Sequence, residues 1–197
     1  MSERTSDDQM FIERAQRGDR SALNELVRKH EQRAYQFAFR LTRNPEEAAD
    51  VVAEAFVRVY NALPNFKGNA QFTTWLYRIL TNCFLDIRKK ESKRGTVSLD
   101  SSVTVGEGEV ERQIEDPTAN PHEDLLRDER GRRVQRALEK LPAYQKAMIL
   151  MYHAEQLSYE DIAESLDLPI GTVKSRLNRA RLSLREHLTK DEELFRL

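Results

Sequence analysis

The chain has 197 residues with 32 basic and 33 acidic side chains, 33% charged and 39% apolar, which suits one medium or two small soluble domains. Its 7 Gly and 6 Pro residues fall well below the roughly 12% of an average protein and favour helix over turn-rich β structure. The longest apolar run, Ala147 to Tyr152, is far shorter than the ~20 residues of a membrane span, and the first residues lack a signal-peptide core. The lone Cys83 excludes an internal disulfide and a Cys-based zinc site, so a cytoplasmic protein without membrane insertion is expected.

Asp7 to Arg17 is the first predicted helix, closed by Gly18. Ser21 to Thr42 places apolar residues at 23, 26, 27, 34, 37, 38 and 41, close to the helical period. Asn44-Pro45 starts a third helix, with Glu46 and Glu47 at its positive end, and Pro64 stops it after about Leu63. On that helix Asp50, Ala53 and Glu54 share one face by their spacing, while Ala48, Val52, Ala55 and Val59 turn inward. The following loop, Asn65 to Gln71, offers backbone amides and amide side chains of the kind that hold an unstacked base. A fourth helix, Gln71 to about Lys90, stripes Phe72, Trp75, Leu76, Ile79, Leu80 and Ile87 toward a core. Its other face carries Thr73, Thr74, Tyr77, Arg78, Thr81 and Asn82, and Arg88, Lys89, Lys90, Lys93 and Arg94 form a basic end.

Residues 95–126 hold eight acids against one base, Arg112, which leaves the rest of the chain at +6. Five of the 13 Gly and Pro residues lie between Gly95 and Pro121, and no helical period runs through that segment, so it reads as a tether. The expected division is a domain at 1–94, an acidic linker at 95–122 and a domain at 123–197. Four shorter helices follow: Glu123 to Leu141, Pro142 to Ala154, Ser158 to Leu166, and Pro169 to about Leu188. Ser158 and Asp161 form a capping pattern, and the tight segment Asp167-Leu168-Pro169 joins the last two helices as a helix-turn-helix. On the final helix Val173, Leu177, Ala180 and Leu184 fall in one arc. Lys174, Asn178, Arg181 and Arg185 lie on an outward flank, with Ser175 and Arg179 further round. Such a helix can enter a major groove, and Gly171 lets its start approach a phosphate. His30, His122, His153 and His187 are scattered and fit no HExxH spacing, and no phosphate-binding Gly-rich loop occurs. The chain is therefore not read as an enzyme: it has no catalytic residues, metal site or cofactor, and its histidines are expected at the surface or its boundary.

The segment LSYEDIAESLDLPIGTVKSRLNRARLSLREHL resembles the region 4 helix-turn-helix of extracytoplasmic-function sigma factors, the transcription initiation subunits of bacteria. GDRSALNELVRKHEQRAYQFAFRLTRNPEEAADVVAEAFVRVY and FKGNAQFTTWLYRILTNCFLDIRKK are similar to sigma region 2. The resemblance implies an all-α fold of two small helical domains joined by a flexible acidic linker. It also implies a factor that binds core RNA polymerase, directs it to promoters through −35 and −10 elements, and promotes melting. Asp50, Ala53, Glu54 and Phe56 would meet the β′ clamp helices, with Ala53 standing where the family usually has Gln, and the β flap is a further implied contact. Asn65, Phe66, Lys67, Gly68, Asn69, Tyr77, Arg78, Asn82, Arg88 and Lys89 would read or flank the −10 element. Ser158, Tyr159, Gly171, Thr172, Lys174, Ser175, Arg176, Asn178 and Arg179 would serve the −35 element. An anti-sigma factor is an implied partner. The alternative is a stand-alone helix-turn-helix repressor or activator.

Overall fold

Asp19, Asn44 and Ser158 cap three of the helices in the computed structural model, which describes residues 3–95 and 121–194. The expected acidic linker lies outside the described residues except at 95, 121 and 122. In chain order the helices are α1 (Glu3–Gln16), α2 (Arg20–Thr42), α3 (Pro45–Ala62), α4 (Phe72–Gly95), α5 (Pro121–Glu139), α6 (Ala143–His153), α7 (Tyr159–Leu166) and α8 (Ile170–Leu194). A 3-10 turn, Leu63–Asn65, follows α3, and there is no strand among the described residues.

The breaks between helices follow local chemistry. Gly18 sits at φ +95°, and the Asp19 amide donates back to the Arg14 carbonyl at 3.1 Å, closing α1 with a left-handed turn. Asp19, two residues ahead of the expected start at Ser21, caps α2 by accepting from the Ser21 and Ala22 amides. Asn44 Oδ1 accepts from the Glu46 and Glu47 amides at 2.8 and 3.1 Å, with Pro45 in the first turn of α3. Ser158 and Asp161 form a reciprocal capping box at the start of α7. Asp167, at φ +52°, turns the chain out of α7 and into α8.

Leu26, Phe37, Leu41, Val51, Val59, Leu80 and Phe84 are fully enclosed among α2, α3 and α4, and Met148, Met151, Ile162, Val173 and Leu177 among α6, α7 and α8. Val51, rather than the expected Val52, is the fully buried residue of α3 at that turn. The two groups form one continuous core, because α6 packs on α2 and α4, and α7 packs on α4. This corrects the expectation of an open polar face on α4. Thr74, Tyr77 and Thr81 are only 4%, 5% and 0% exposed: Asp161 and Ser165 of α7 lie against Thr74, and Tyr77 is held between Phe37 of α2 and Glu155.

His30 is likewise buried rather than at the boundary. Its Nε2 lies 3.1 Å from both carboxylate oxygens of Asp8, and its ring packs 5.0 Å from that of Phe72. Burial holds its pKa below the usual 6.5 against the opposing pull of Asp8. The unfolded chain therefore takes up a proton below about pH 6.5 that the folded chain refuses. Stability should be intact above that pH and fall as pH drops below it. Urea unfolding at pH 7.5 and pH 5 checks this, and His30→Gln should flatten the difference between the two.

Candidate nucleic-acid interface

The side chains of α8 sort by helical phase. Val173, Leu177 and Ala180 are completely buried against the preceding helices, and Leu184 is half-buried. Lys174, Ser175, Asn178, Arg179 and Arg185 are exposed, so the expected outward flank is present as a continuous surface. Two arginines differ from it in role. Arg181 stacks over the Tyr152 ring at 4.6 Å and donates from Nε to His153 Nε2 at 3.2 Å. Arg176 lies over the Tyr144 ring at 5.1 Å. These two border the buried stripe on opposite sides and fasten α8 to α6. Lys174 rests 5.9 Å above Tyr159, whose ring stacks on Tyr152. Tyr159 thus supports the outward face from beneath, and the Ser158 hydroxyl is engaged by the Asp161 carboxylate at 2.6 Å. Gly171 faces open space, which leaves room for a backbone approach at the start of α8.

A second surface lies around the loop between α3 and α4. Asn65, Lys67, Gly68 and Asn69 are exposed, and Gly68 takes φ +69°, a conformation that favours glycine. The loop is held at its base. Gln16 Nε2 on α1 donates to the carbonyls of Leu63 and Phe66 at 3.0 and 2.8 Å, and the Phe66 ring packs 4.6 Å from Trp75. A pocket of about 310 Å³ opens here between Phe66, Trp75, Arg78 and Thr74, with Glu164 and Ser165 of α7 on its far wall. Trp75 was expected in the core; it is half-buried and lines this pocket.

Asn82 and Lys89 are exposed further along α4. Arg88 is bound within the fold: it pairs with Glu47 at 2.6 Å and Glu91 at 2.7 Å and lies over the Phe84 ring. The family resemblance implied a place for it beside the −10 element, and the structure gives its charge two carboxylate partners. On α3, Asp50, Ala53 and Glu54 are exposed together and Phe56 is half-buried. Glu54 accepts from Arg58 at 2.8 Å, and Arg58 also bonds Asp86 at 3.0 Å. Val57 and Tyr60, 55% and 53% exposed, extend the same helix with apolar surface that the sequence reading passed over.

The contact between the halves was also missed. Glu155, at the end of α6, accepts from Arg40 at 2.8 Å and from the Tyr77 hydroxyl. The Thr74 hydroxyl lies 3.4 Å from Asp161, and Ser165 Oγ lies 3.5 Å from the Thr74 carbonyl. Burial, then the Glu155 carboxylate, raises the Tyr77 pKa above its usual value. Partners 78 and 115 residues apart in the chain leave no local sequence signal. Among the described residues no cluster of His, Cys, Asp and Glu could hold a metal ion, and no helix is long and apolar enough to cross a membrane. Burial pushes the Cys83 thiol up to about 11, so it is not a thiolate at neutral pH.

Comparison with known proteins places both parts of the chain in one family. Residues 26–94 match the Sigma-70 region 2 family and residues 131–184 the Sigma-70, region 4 family. The RNA polymerase sigma-H factor of Pseudomonas aeruginosa is 38% identical over 88% of this chain and 90% of its own length. The ECF RNA polymerase sigma factor SigW of Bacillus subtilis is 35% identical over 90% of this chain and 94% of its own. The same fold is found in CnrH, solved in complex with the cytosolic domain of CnrY, at a TM-score of 0.65 and 24% identity over 94% of this chain and 99% of that one.

Proposed function

Because the chain belongs to the sigma-70 family of RNA polymerase sigma factors, in its extracytoplasmic-function branch, we propose that its two halves divide promoter recognition between them. As a transcription initiation factor it binds core RNA polymerase and promoter DNA. In this reading residues 1–94 carry polymerase binding and the −10 element, residues 123–197 carry the −35 element, and catalysis belongs to the polymerase. The observation that carries it is the outward flank of α8, where Lys174, Ser175, Asn178 and Arg179 are exposed over a capped α7. That is the arrangement of a groove-reading helix. The pocket at Phe66 and Trp75 suits one extruded base of the −10 strand, and the Asp50–Glu54 face of α3 suits a basic partner helix. The polymerase β flap and an anti-sigma factor are further partners in the reading.

Distance imposes a condition on it. Elements centred at −35 and −10 lie about 25 base pairs apart, roughly 85 Å at ~3.4 Å per base pair. A compact chain of this length has a radius of gyration of ~16 Å and is about 40 Å across. One compact body cannot reach both elements. Residues 96–120 can span, at full extension, roughly 85–90 Å, so parting the halves makes simultaneous contact feasible.

Run-off transcription with purified core polymerase and a promoter library tests the reading. Transcripts should require both core enzyme and this chain. Nanomolar, sequence-specific duplex binding by the chain alone would favour the stand-alone repressor instead. Within a responsive promoter, Arg179→Ala should cost on the order of 1–3 kcal/mol and relax preference at one or two −35 positions, while Arg185→Ala weakens all sequences alike. Equal losses on specific and scrambled −35 elements in a binding titration would remove Arg179 from base reading. Given its two ion pairs, Arg88→Ala should lower thermal stability more than Lys89→Ala does.

A further inference from the structure

Gln16 is the last residue of α1, one turn beyond Ile12, which is 4% exposed and belongs to the core. Residues four apart share a helix face, so Gln16 continues the inward side of α1 to the point where the chain leaves α3. The left-handed turn at Gly18 and the Arg14–Asp19 pair fix the end of α1 on which it stands. From there one side-chain amide nitrogen donates to two carbonyls, those of Leu63 and Phe66, 47 and 50 residues away in the chain. Leu63 opens the 3-10 turn and Phe66 ends it, so Gln16 bridges the turn from end to end. Beyond Phe66 such ties stop. Among the described residues Lys67, Gly68, Asn69 and Ala70 make no backbone-to-backbone hydrogen bond. The direction in which the loop departs is therefore set at Phe66, by its ring against Trp75 and by its carbonyl on Gln16.

We propose that Gln16 is a positioning residue for −10 recognition, holding the Asn65–Gln71 loop in the arrangement that discriminates between bases through two carbonyls rather than by touching DNA. The inference rests on the functional reading above, in which that loop and the pocket at Phe66 and Trp75 receive an unstacked base. A base is told from its rivals by donors and acceptors that meet its edge, and a wrong base leaves those groups unpaired. That penalty is felt only where the groups are held to within about 0.5 Å. A loop free to shift pairs with the wrong base as well, and it must also be ordered when the strand arrives. Gln16 is itself exposed, so water can take over both carbonyls once its amide is lost. Its replacement should cost the fold little and the loop's geometry much.

The test uses the full chain with core RNA polymerase on a promoter drawn from the run-off library, beside single-base variants of its −10 and −35 elements. Gln16→Leu keeps most of the side chain's bulk without a donor, and Gln16→Glu keeps its length without one. Gln16→Lys restores a donor that can serve both carbonyls. The readout is the ratio of transcript from the preferred −10 sequence to that from its variants, which a uniform change in DNA affinity leaves unaltered. For the two donor-free variants this ratio should fall by about three- to tenfold. Their thermal midpoints should stay within about 3 °C of the parent's, and their −35 ratios and affinity for core enzyme should hold. Gln16→Lys should bring the −10 ratio back to within about twofold of the parent's. An unchanged −10 ratio in both donor-free variants, equal losses at −10 and −35, or no recovery in Gln16→Lys overturns the proposal. So does unfolding of both donor-free variants, because Gln16 would then hold the fold rather than the loop. Asn69→Ala, in the loop itself, separates this inference from the reading it rests on. If Asn69→Ala flattens the −10 ratio and the Gln16 variants do not, the inference alone fails. If neither does, the loop's place in −10 reading fails with it, and absence of promoter-specific transcripts from the parent would remove the initiation reading itself.

Discussion

Replacing Phe37 by alanine should lower the unfolding free energy by about 3–5 kcal/mol, the usual range for deleting a fully enclosed aromatic side chain. Phe37 is 0% exposed on α2, and its ring meets that of Tyr77 edge-on at 4.9 Å. It belongs to the core that runs from the N-terminal helices to α6, so its loss leaves a cavity inside that core. A domain of this size has a total stability of only about 5–15 kcal/mol, so the variant should be partly unfolded at moderate urea. The control is Val57→Ala, on an α3 residue 55% exposed, which should change stability by less than about 0.5 kcal/mol. Urea titration followed by circular dichroism compares the two. Similar midpoints for Phe37→Ala and Val57→Ala would contradict the core described above.

The opposite sign is expected at Lys146. This residue of α6 is 7% exposed at the meeting of the halves, and burial pushes its ammonium down to about 8, with Arg88 and Arg43 adding to the shift and Glu139 and Glu47 opposing it. At pH 7 the folded chain carries a charge that it would hold more easily in water. Lys146→Met keeps the length of the side chain, removes that charge and should stabilise the fold by about 2–3 kcal/mol. Between about pH 8 and 10.5 the unfolded chain retains a proton that the folded chain has released, so parent stability should rise across that window. The variant should lack that part of the rise, which thermal melts at pH 7 and pH 9.5 would reveal as a smaller gap. A variant no more stable than the parent, with the same pH slope, would show that the Lys146 charge is not strained by burial.

What could be read from the sequence was local. Asn44 before Pro45, Ser158 with Asp161, and Gly18 at the end of α1 set helix limits within one turn of where they fall, because each satisfies backbone groups only a few residues away. The buried stripe of α8 and its open flank were legible for the same reason. The second face of α4 was not. Thr, Tyr and Arg suit an open surface or a covered one equally well, and only the arrival of Glu155 and Asp161 from the far half decides between them. Arg88 shows the same limit in its charge: its sign is evident from sequence, but its pairing with Glu47, 41 residues away, is not.

The hydrogen bonds of Gln16 have a bearing on how this protein can be divided. The family match to region 2 begins at residue 26, ten residues after the side chain that fixes the carbonyls of Leu63 and Phe66. A fragment trimmed to 26–94 would contain every residue of the Asn65–Gln71 loop and lack the donor that shapes it. The working boundary of the N-terminal unit is therefore set by α1, upstream of the segment by which the family is recognised.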